Sequence, residues 1–192
     1  AAIASVTGSM GQDQIESCNP ERPIPIIQIH GTSDQVVEYS GNDLFGFASI
    51  ENVLSYWVNF NDCNAEPIFN TLPNINTNDL CTAEHYVYNN GANASSVELY
   101  KIINGGHTWP GAGIPLFENN TNQDFNASEK IWDFFEKYDI NGLINNTFEI
   151  FEEPIEKKKL RSINLLGKEA TNELIQIHIY NNGTAEKKYF IK

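Results

Sequence analysis

Two short loops of this sequence carry residue types that together could activate a nucleophile. One contains Asp34 and follows the apolar run at residues 23–30, and the other contains His107 and follows the apolar run at residues 97–103. A histidine can take a proton from an attacking group, while a carboxylate fixes the histidine tautomer and stabilises the imidazolium. Asp34 and His107 are therefore the candidate acid and base.

The elements around these loops predict an α/β fold. The runs at residues 1–6, 23–30 and 97–103 predict strands, and the almost continuously apolar run at residues 23–30 is typical of a parallel strand covered on both faces. Apolar residues at helical spacing predict one helix over residues 50–58, and Asn126 followed by Glu129 predicts the start of a second. The order of strands and helices predicts a mostly parallel sheet, and ligands bind such sheets at the carboxyl ends of the strands.

The two loops also resemble a known family. The residues that carry the resemblance are His30-Gly31-Thr32-x-Asp34-x-Val36-Val37-x-Tyr39 and Gly105-Gly106-His107-Thr108-Trp109-Pro110-Gly111. Over residues 1 to about 140 the chain resembles the secreted polyhydroxybutyrate depolymerase and feruloyl or acetyl-xylan esterase-like α/β-hydrolases. The resemblance implies that Asp34 is the triad acid, that His107 is the triad base and that Trp109 lines the substrate groove.

The nucleophile of such a triad is missing from the sequence. No Gly-x-Ser-x-Gly occurs, and the nearest pattern, around Ser9, is one residue short, so Ser9 is only the weaker candidate for the nucleophile. No helical apolar stripe follows Ser9, and only 25 residues separate it from Asp34. We therefore expect the nucleophile, the oxyanion hole and the first strands to lie upstream, so that the chain holds only the C-terminal strands of the fold.

Other roles remain open for several of these residues. Asp34 could be a simple turn residue, with Glu38 as the reserve acid. Trp109 could pack beneath its loop instead of contacting substrate. For His30, at the end of a buried strand, a structural role is favoured over that of a base.

The three cysteines give an odd count. Cys63 and Cys81 flank a loop rich in Asn, Pro, Thr and Asp that a disulfide would stabilise, so we predict a bridge between them. Cys18 is then left over. Zinc binding is the weaker alternative, since no second Cys or His stands at ligand spacing beside either residue, and we predict neither a metal nor a cofactor.

The charge divides the chain near residue 150. The net charge of −13 combines −15 in residues 1–151 with +2 in residues 152–192, and residues 152–159 form a charge-dense stretch containing Pro154. We predict a hydrolase part over residues 1–150 and a small β domain over residues 151–192. The acidic balance argues against nucleic acid as a partner, and no apolar run reaches the ~18 residues of a membrane span.

The last forty residues predict three short strands, at residues 159–166, 175–180 and 189–191, with a hairpin turn at residues 181–184. Leu165-Leu166-Gly167-Lys168-Glu169 and the stretch at residues 179–188 resemble the C-terminal sorting domain of the type IX secretion system of Bacteroidota. The resemblance implies that the secretion machinery is a partner and that the protein is secreted or held at the cell surface. The alternative is a β accessory module that binds polymer or packs on the core.

Together these features predict a secreted serine-type carboxylic-ester hydrolase whose substrate is a polymer or plant cell-wall ester. A non-catalytic polymer- or carbohydrate-binding protein on a degenerate hydrolase scaffold is the alternative. A third possibility is a truncated gene product in which the β tail is the coherent folding unit.

Overall fold

The computed structural model describes residues 1–113, 120–144, 158–164, 166–170, 174–181 and 184–189. The chain divides into two compact units, Ala1–Ile144 and Asn145–Lys192. The assignment of residues 1–150 as a hydrolase part and residues 151–192 as a sorting or accessory domain stays a prediction.

The first unit is built on a five-stranded sheet in the order β1-β2-β5-β4-β3. Its strands are β1 (Ile3–Val6), β2 (Ile26–Gly31), β3 (Ile68–Thr71), β4 (Thr82–Tyr88) and β5 (Val97–Ile103). The strands predicted at β1, β2 and β5 are therefore present. All six residues of β2 are buried, as expected of a central strand covered on both faces.

The prediction of a mostly parallel sheet needs correction, because the sheet is mixed. β1, β2 and β5 pair in parallel, whereas β4 is antiparallel to both β5 and β3. Strand β3 has little signature in the sequence, because only Ile68 and Phe69 of its four residues are apolar. Two apolar residues are too few to predict a strand.

Helix α2 (Ile50–Phe60) covers one face of the sheet. It buries all five of the predicted apolar residues, and the Ser49 hydroxyl accepts a hydrogen bond from the Asn52 amide at its N-terminus. These side chains pack on Ile26, Val97 and Leu99 from the sheet. The five buried residues are Ile50, Val53, Leu54, Trp57 and Val58.

Helix α3 (Ala127–Phe135) covers the opposite face. The Asn126 side chain accepts hydrogen bonds from the Ser128 and Glu129 amides, so the helix begins where the sequence predicted. Phe134 is buried against Ile27, Ile29 and Ile102 of the sheet. The two short strands β6 (Tyr138–Asp139) and β7 (Gly142–Leu143) then form a hairpin.

A short helix, α1 (Gln12–Ser17), follows β1, where the sequence predicted none. The helix buries no residue, so it leaves no apolar stripe in the sequence. Among the described residues, no helix combines the length and the apolar character needed to cross a membrane.

The predicted disulfide between Cys63 and Cys81 is not present, since all three cysteines are free. Cys81 is buried in the cluster beneath α3, whereas Cys63 packs against the cluster beneath α2. The sheet separates these two clusters, because alternate residues of a strand point to opposite faces. Cys63 and Cys81, which flank one loop in the sequence, are therefore not neighbours in space.

The second unit contains three antiparallel strands in the order β10-β9-β8. They are β8 (Lys159–Ile163), β9 (Ile175–Tyr180) and β10 (Ala185–Tyr189). β8 ends three residues before its predicted end, at a turn in which the Asn164 side chain accepts hydrogen bonds from the Leu166 and Lys168 amides. β10 begins four residues before its predicted start, and residues 190–192 lie outside the described residues.

Replacing Asn61, at the end of α2, tests the attachment of this helix to the segment that leads into β2. The Asn61 side chain is buried, accepts from the Ile24 amide (3.0 Å) and donates to the Ile24 carbonyl (2.7 Å). Asn61→Ala should lower the free energy of unfolding by about 2–4 kcal/mol, since both groups lose their partner. Urea titration checks this, with Asn59→Ala on the exposed side of α2 as the control, and equal losses in both variants would contradict it.

Candidate active site

The two loops with candidate chemistry meet because β2 and β5 are parallel neighbours. Their pairing ends with Gly31 opposite Ile102, so both chains leave the sheet at the same edge. The Ser33 amide donates to the Gly105 carbonyl at 2.9 Å. A Cβ atom on Gly31 would lie 2.2 Å from the Gly105 oxygen, so only glycine fits this approach.

Asp34 lies directly beyond this contact, and its residue is only 4% exposed. Its Oδ1 atom accepts hydrogen bonds from the backbone amides of Val36 (2.8 Å) and Val37 (2.9 Å). Its Oδ2 atom accepts from His107 Nδ1 at 2.9 Å. A buried carboxylate is costly unless hydrogen bonds replace its water, and these three donors do so.

His107 occupies the loop after β5 and leaves 26% of its side chain exposed. The neighbouring backbone is held to the segment before α3, since the Gly106 amide donates to the Asn120 carbonyl at 3.0 Å. Because Asp34 holds the proton on Nδ1, Nε2 is the ring nitrogen with a lone pair for accepting another proton. This is the arrangement required of a general base.

Trp109 lies two residues beyond His107 and is 47% exposed. Its indole Nε1 donates to the Ser128 hydroxyl at 3.1 Å, which ties the loop to the first turn of α3. The ring thus has an anchored polar edge and an exposed surface. The anchored edge is compatible with the packing role given to Trp109 as an alternative, and the exposed surface is compatible with the predicted contact with substrate.

The two weaker sequence candidates have other partners. The Ser9 hydroxyl donates to the Ala48 carbonyl at 2.6 Å, which occupies the proton that a base would have to remove. Glu38 accepts a hydrogen bond from the Asn42 side chain within its own loop. Asp34 is the carboxylate that the structure places on His107.

Sequence reasoning assigned His30 a structural role and missed the part of Gln28. Both side chains are buried on the face of β2 that α2 covers. Gln28 Nε2 donates to His30 Nδ1 (3.2 Å), and His30 Nε2 lies 3.4 Å from Asp34 Oδ2. The sequence did contain a signal for this pair, because Gln28 and His30 are polar residues two positions apart in an otherwise apolar strand and therefore share one face.

A separate cavity of about 380 Å³ lies between α2 and strands β4 and β5. Tyr39, Tyr86 and Tyr88 are among its lining residues, but Asp34 and His107 are not. The described residues contain no group of three or more His, Cys, Asp or Glu side chains arranged to hold a metal ion.

Comparison with known proteins supports an esterase-like chain. The sequence is 33% identical over 97 residues to the feruloyl esterase B of Piromyces equi. The match covers 47% of this chain but only 16% of the relative's length. No protein-family model matches the chain. The similarity therefore spans about half of this chain and a small part of the esterase.

The buried His30 predicts a loss of stability in mild acid. Burial lowers the pKa of His30 below its ordinary value of about 6.5, so below that pH the unfolded chain binds a proton that the folded chain does not. His30 should therefore destabilise the fold as the pH falls below about 6.5, by at most ~1.4 kcal/mol per pH unit. Urea midpoints between pH 7.5 and 5.5 measure the slope, which should be smaller in His30→Gln than in the control His178→Gln. An unchanged slope in His30→Gln would contradict this origin.

Proposed function

We propose that this chain carries the acid and the base of a serine-type carboxylic-ester hydrolase. The observation that carries the proposal is the 2.9 Å hydrogen bond between His107 Nδ1 and Asp34 Oδ2 at the carboxyl edge of the sheet. The similarity to a feruloyl esterase supports the class of reaction. The partly exposed His107 ring beside a buried, multiply bonded carboxylate supports the roles of the two residues.

In this mechanism a serine hydroxyl attacks the ester carbonyl while its proton passes to His107 Nε2. The imidazolium is stabilised by Asp34, which stays ionised and keeps the ring oriented. Collapse of the tetrahedral intermediate breaks the bond to the alcohol, which leaves with the proton from Nε2, and forms an acyl-enzyme. Water then attacks the acyl group with His107 again as base, and the carboxylic acid is released as serine regains its proton.

The attacking serine of this proposal is not assigned to any residue of this sequence. No Gly-x-Ser-x-Gly occurs among the 192 residues, and the Ser9 hydroxyl is bonded to a backbone carbonyl. Within the ester class, feruloyl and acetyl esters of plant polysaccharides and short polyhydroxyalkanoates are the candidate substrates. We assign Trp109 the contact with substrate, a role supported by its anchored and half-exposed ring.

Hydrolysis of p-nitrophenyl acetate by the complete product of the gene tests this proposal. Asp34→Asn and His107→Ala should each lower kcat by about a thousandfold or more, because the base loses its tautomer or its ring. Glu38→Gln is the matched control, an acid of the same loop that should keep activity. Unchanged turnover in both site variants would remove these residues from the mechanism.

The lack of a Gly-x-Ser-x-Gly pattern favours one other function, a non-catalytic polymer- or carbohydrate-binding protein. The same assay separates the two functions, because a binding protein would hydrolyse no ester but would be retained on an insoluble polysaccharide.

We also propose that the second unit is an export signal of the type IX kind. The resemblance at residues 165–169 and 179–188 carries this proposal, and the unit's division from the rest of the chain fits an address that is separate from the site. The secretion machinery would then be its partner, and the protein would be secreted or held at the cell surface.

Deleting residues 150–192 should leave the protein in the periplasm of a Bacteroidota host. Cell fractionation checks this, and the converse experiment fuses residues 150–192 to a fluorescent protein, which should then be exported. Normal secretion of the deletion variant would defeat the proposal.

A further inference from the structure

A second histidine contacts the Asp34 carboxylate from within the core. His30, the fifth residue of β2, is fully buried and lies with its Nε2 atom 2.8 Å from the Val37 carbonyl and 3.4 Å from Asp34 Oδ2. His107 approaches the same Oδ2 atom from the exposed side. The carboxylate thus lies between a buried imidazole and a partly exposed one, and it is hydrogen-bonded to the exposed one.

The partners of His30 determine which of its nitrogens carries the proton. The Val37 carbonyl can only accept, so Nε2 must be the donor. Nδ1 then accepts from Gln28 Nε2, which also donates to the Gly8 carbonyl at 2.8 Å. A proton on Nδ1 would face this amide donor, so the network requires His30 to be neutral.

His30 and Asp34 also hold the same backbone segment from two sides. The Val37 amide donates to Asp34 Oδ1, while the Val37 carbonyl accepts from His30 Nε2. Rotation of the Asp34 carboxylate would break the bonds to Val36 and Val37, and movement of Val37 would break the bond to His30. The orientation of Oδ2 toward His107 is therefore coupled to a residue of the core.

We propose that His30 is a positioning residue, a neutral buried donor that holds the Val37 end of the Asp34 loop and lies 3.4 Å from the Oδ2 atom that His107 bonds. The effect of His30 on catalysis rests on the proposed function. Its effect on the geometry of Asp34 and His107 does not. His30 touches neither substrate nor reacting atoms in this role. Its effect passes through the carboxylate to the tautomer and orientation of the His107 ring.

Two amide variants of His30 isolate the Nε2 donor. In His30→Gln the amide nitrogen reaches about as far as Nε2 and can donate to the Val37 carbonyl. In His30→Asn the shorter side chain reaches only the Nδ1 position and can still bond to Gln28. Both variants are polar and uncharged, so they differ in reach and not in the type of group.

The matched control is His85→Asn on the neighbouring strand β4. His85 Nε2 bonds a different buried carboxylate, Glu98, at 2.8 Å, so the variant loses the same kind of contact away from Asp34. Urea titration of all variants gives the folded fraction by which rates are corrected.

The first measurement uses the 192-residue chain and no substrate. Two-bond ¹H–¹⁵N NMR spectra report which nitrogen of the His107 ring carries the proton. We expect the Nδ1-protonated form in the unchanged chain, in His30→Gln and in His85→Asn, and a reduced share of it in His30→Asn. An identical His107 spectrum in His30→Asn would overturn the positioning role.

The second measurement is p-nitrophenyl acetate hydrolysis by the complete gene product. His30→Asn should lower kcat by about 10- to 100-fold with KM unchanged, since a misplaced acid affects the reaction and not binding. His30→Gln should recover most of this loss. If Asp34→Asn abolishes activity while His30→Asn keeps it, the inference fails and the proposed function stands. If Asp34→Asn also keeps activity, the proposed function fails and the NMR result decides the positioning role by itself.

Discussion

The geometry of the candidate site depends on the close approach of two backbones at Gly31 and Gly105. The absence of a side chain at Gly31 lets the loop after β2 lie against the loop after β5, where the Ser33 amide bonds the Gly105 carbonyl. Parallel pairing brings both strands out at one edge, and the glycine contact brings their loops together. Asp34 and His107 are 73 residues apart in the chain and meet through this contact.

A second histidine–carboxylate pair shows why location matters as much as chemistry. His85 and Glu98 form a 2.8 Å contact in the middle of β4 and β5, with the His85 ring stacked on Tyr100. Burial opposes ionisation of Glu98, but the bond from His85 and the charge of Lys137 outweigh it and lower the pKa of Glu98. Like Asp34–His107, the pair joins an imidazole nitrogen to a carboxylate oxygen, but it lies within the sheet and not at the carboxyl end of a strand. We therefore assign it a structural role, whereas Asp34–His107 lies at the strand ends where ligands bind parallel sheets.

The Asp34 carboxylate keeps one orientation because some of its hydrogen-bond donors are rigid backbone amides. Two backbone amides hold Oδ1 from a turn that the carboxylate itself closes, and backbone donors have no side-chain torsions to freeze. Gln28 and His30 then tie this turn to the strand and to Gly8 beyond β1. Three neighbouring segments of the sheet edge are thereby joined beneath one carboxylate.

The sequence by itself determined the elements whose signal is local. Helical spacing marked all five buried residues of α2, the Asn126 side chain marked the start of α3, and runs rich in apolar residues marked β1, β2 and β5. The sequence also indicated Asp34 and His107, because each follows a predicted strand in a loop of glycines and polar residues, with the acid before the histidine.

Only the tertiary structure decided the features that depend on which segments become neighbours. The sheet is mixed because β4 pairs antiparallel with β3 and β5, and the direction of pairing leaves no local pattern in the sequence. Cys63 and Cys81 flank one loop in sequence but pack against clusters on opposite faces of the sheet, a separation that spacing cannot reveal. The contact of His30 with Asp34 likewise depends on the path of the turn beyond β2, because the same histidine facing another side chain would be an ordinary core residue.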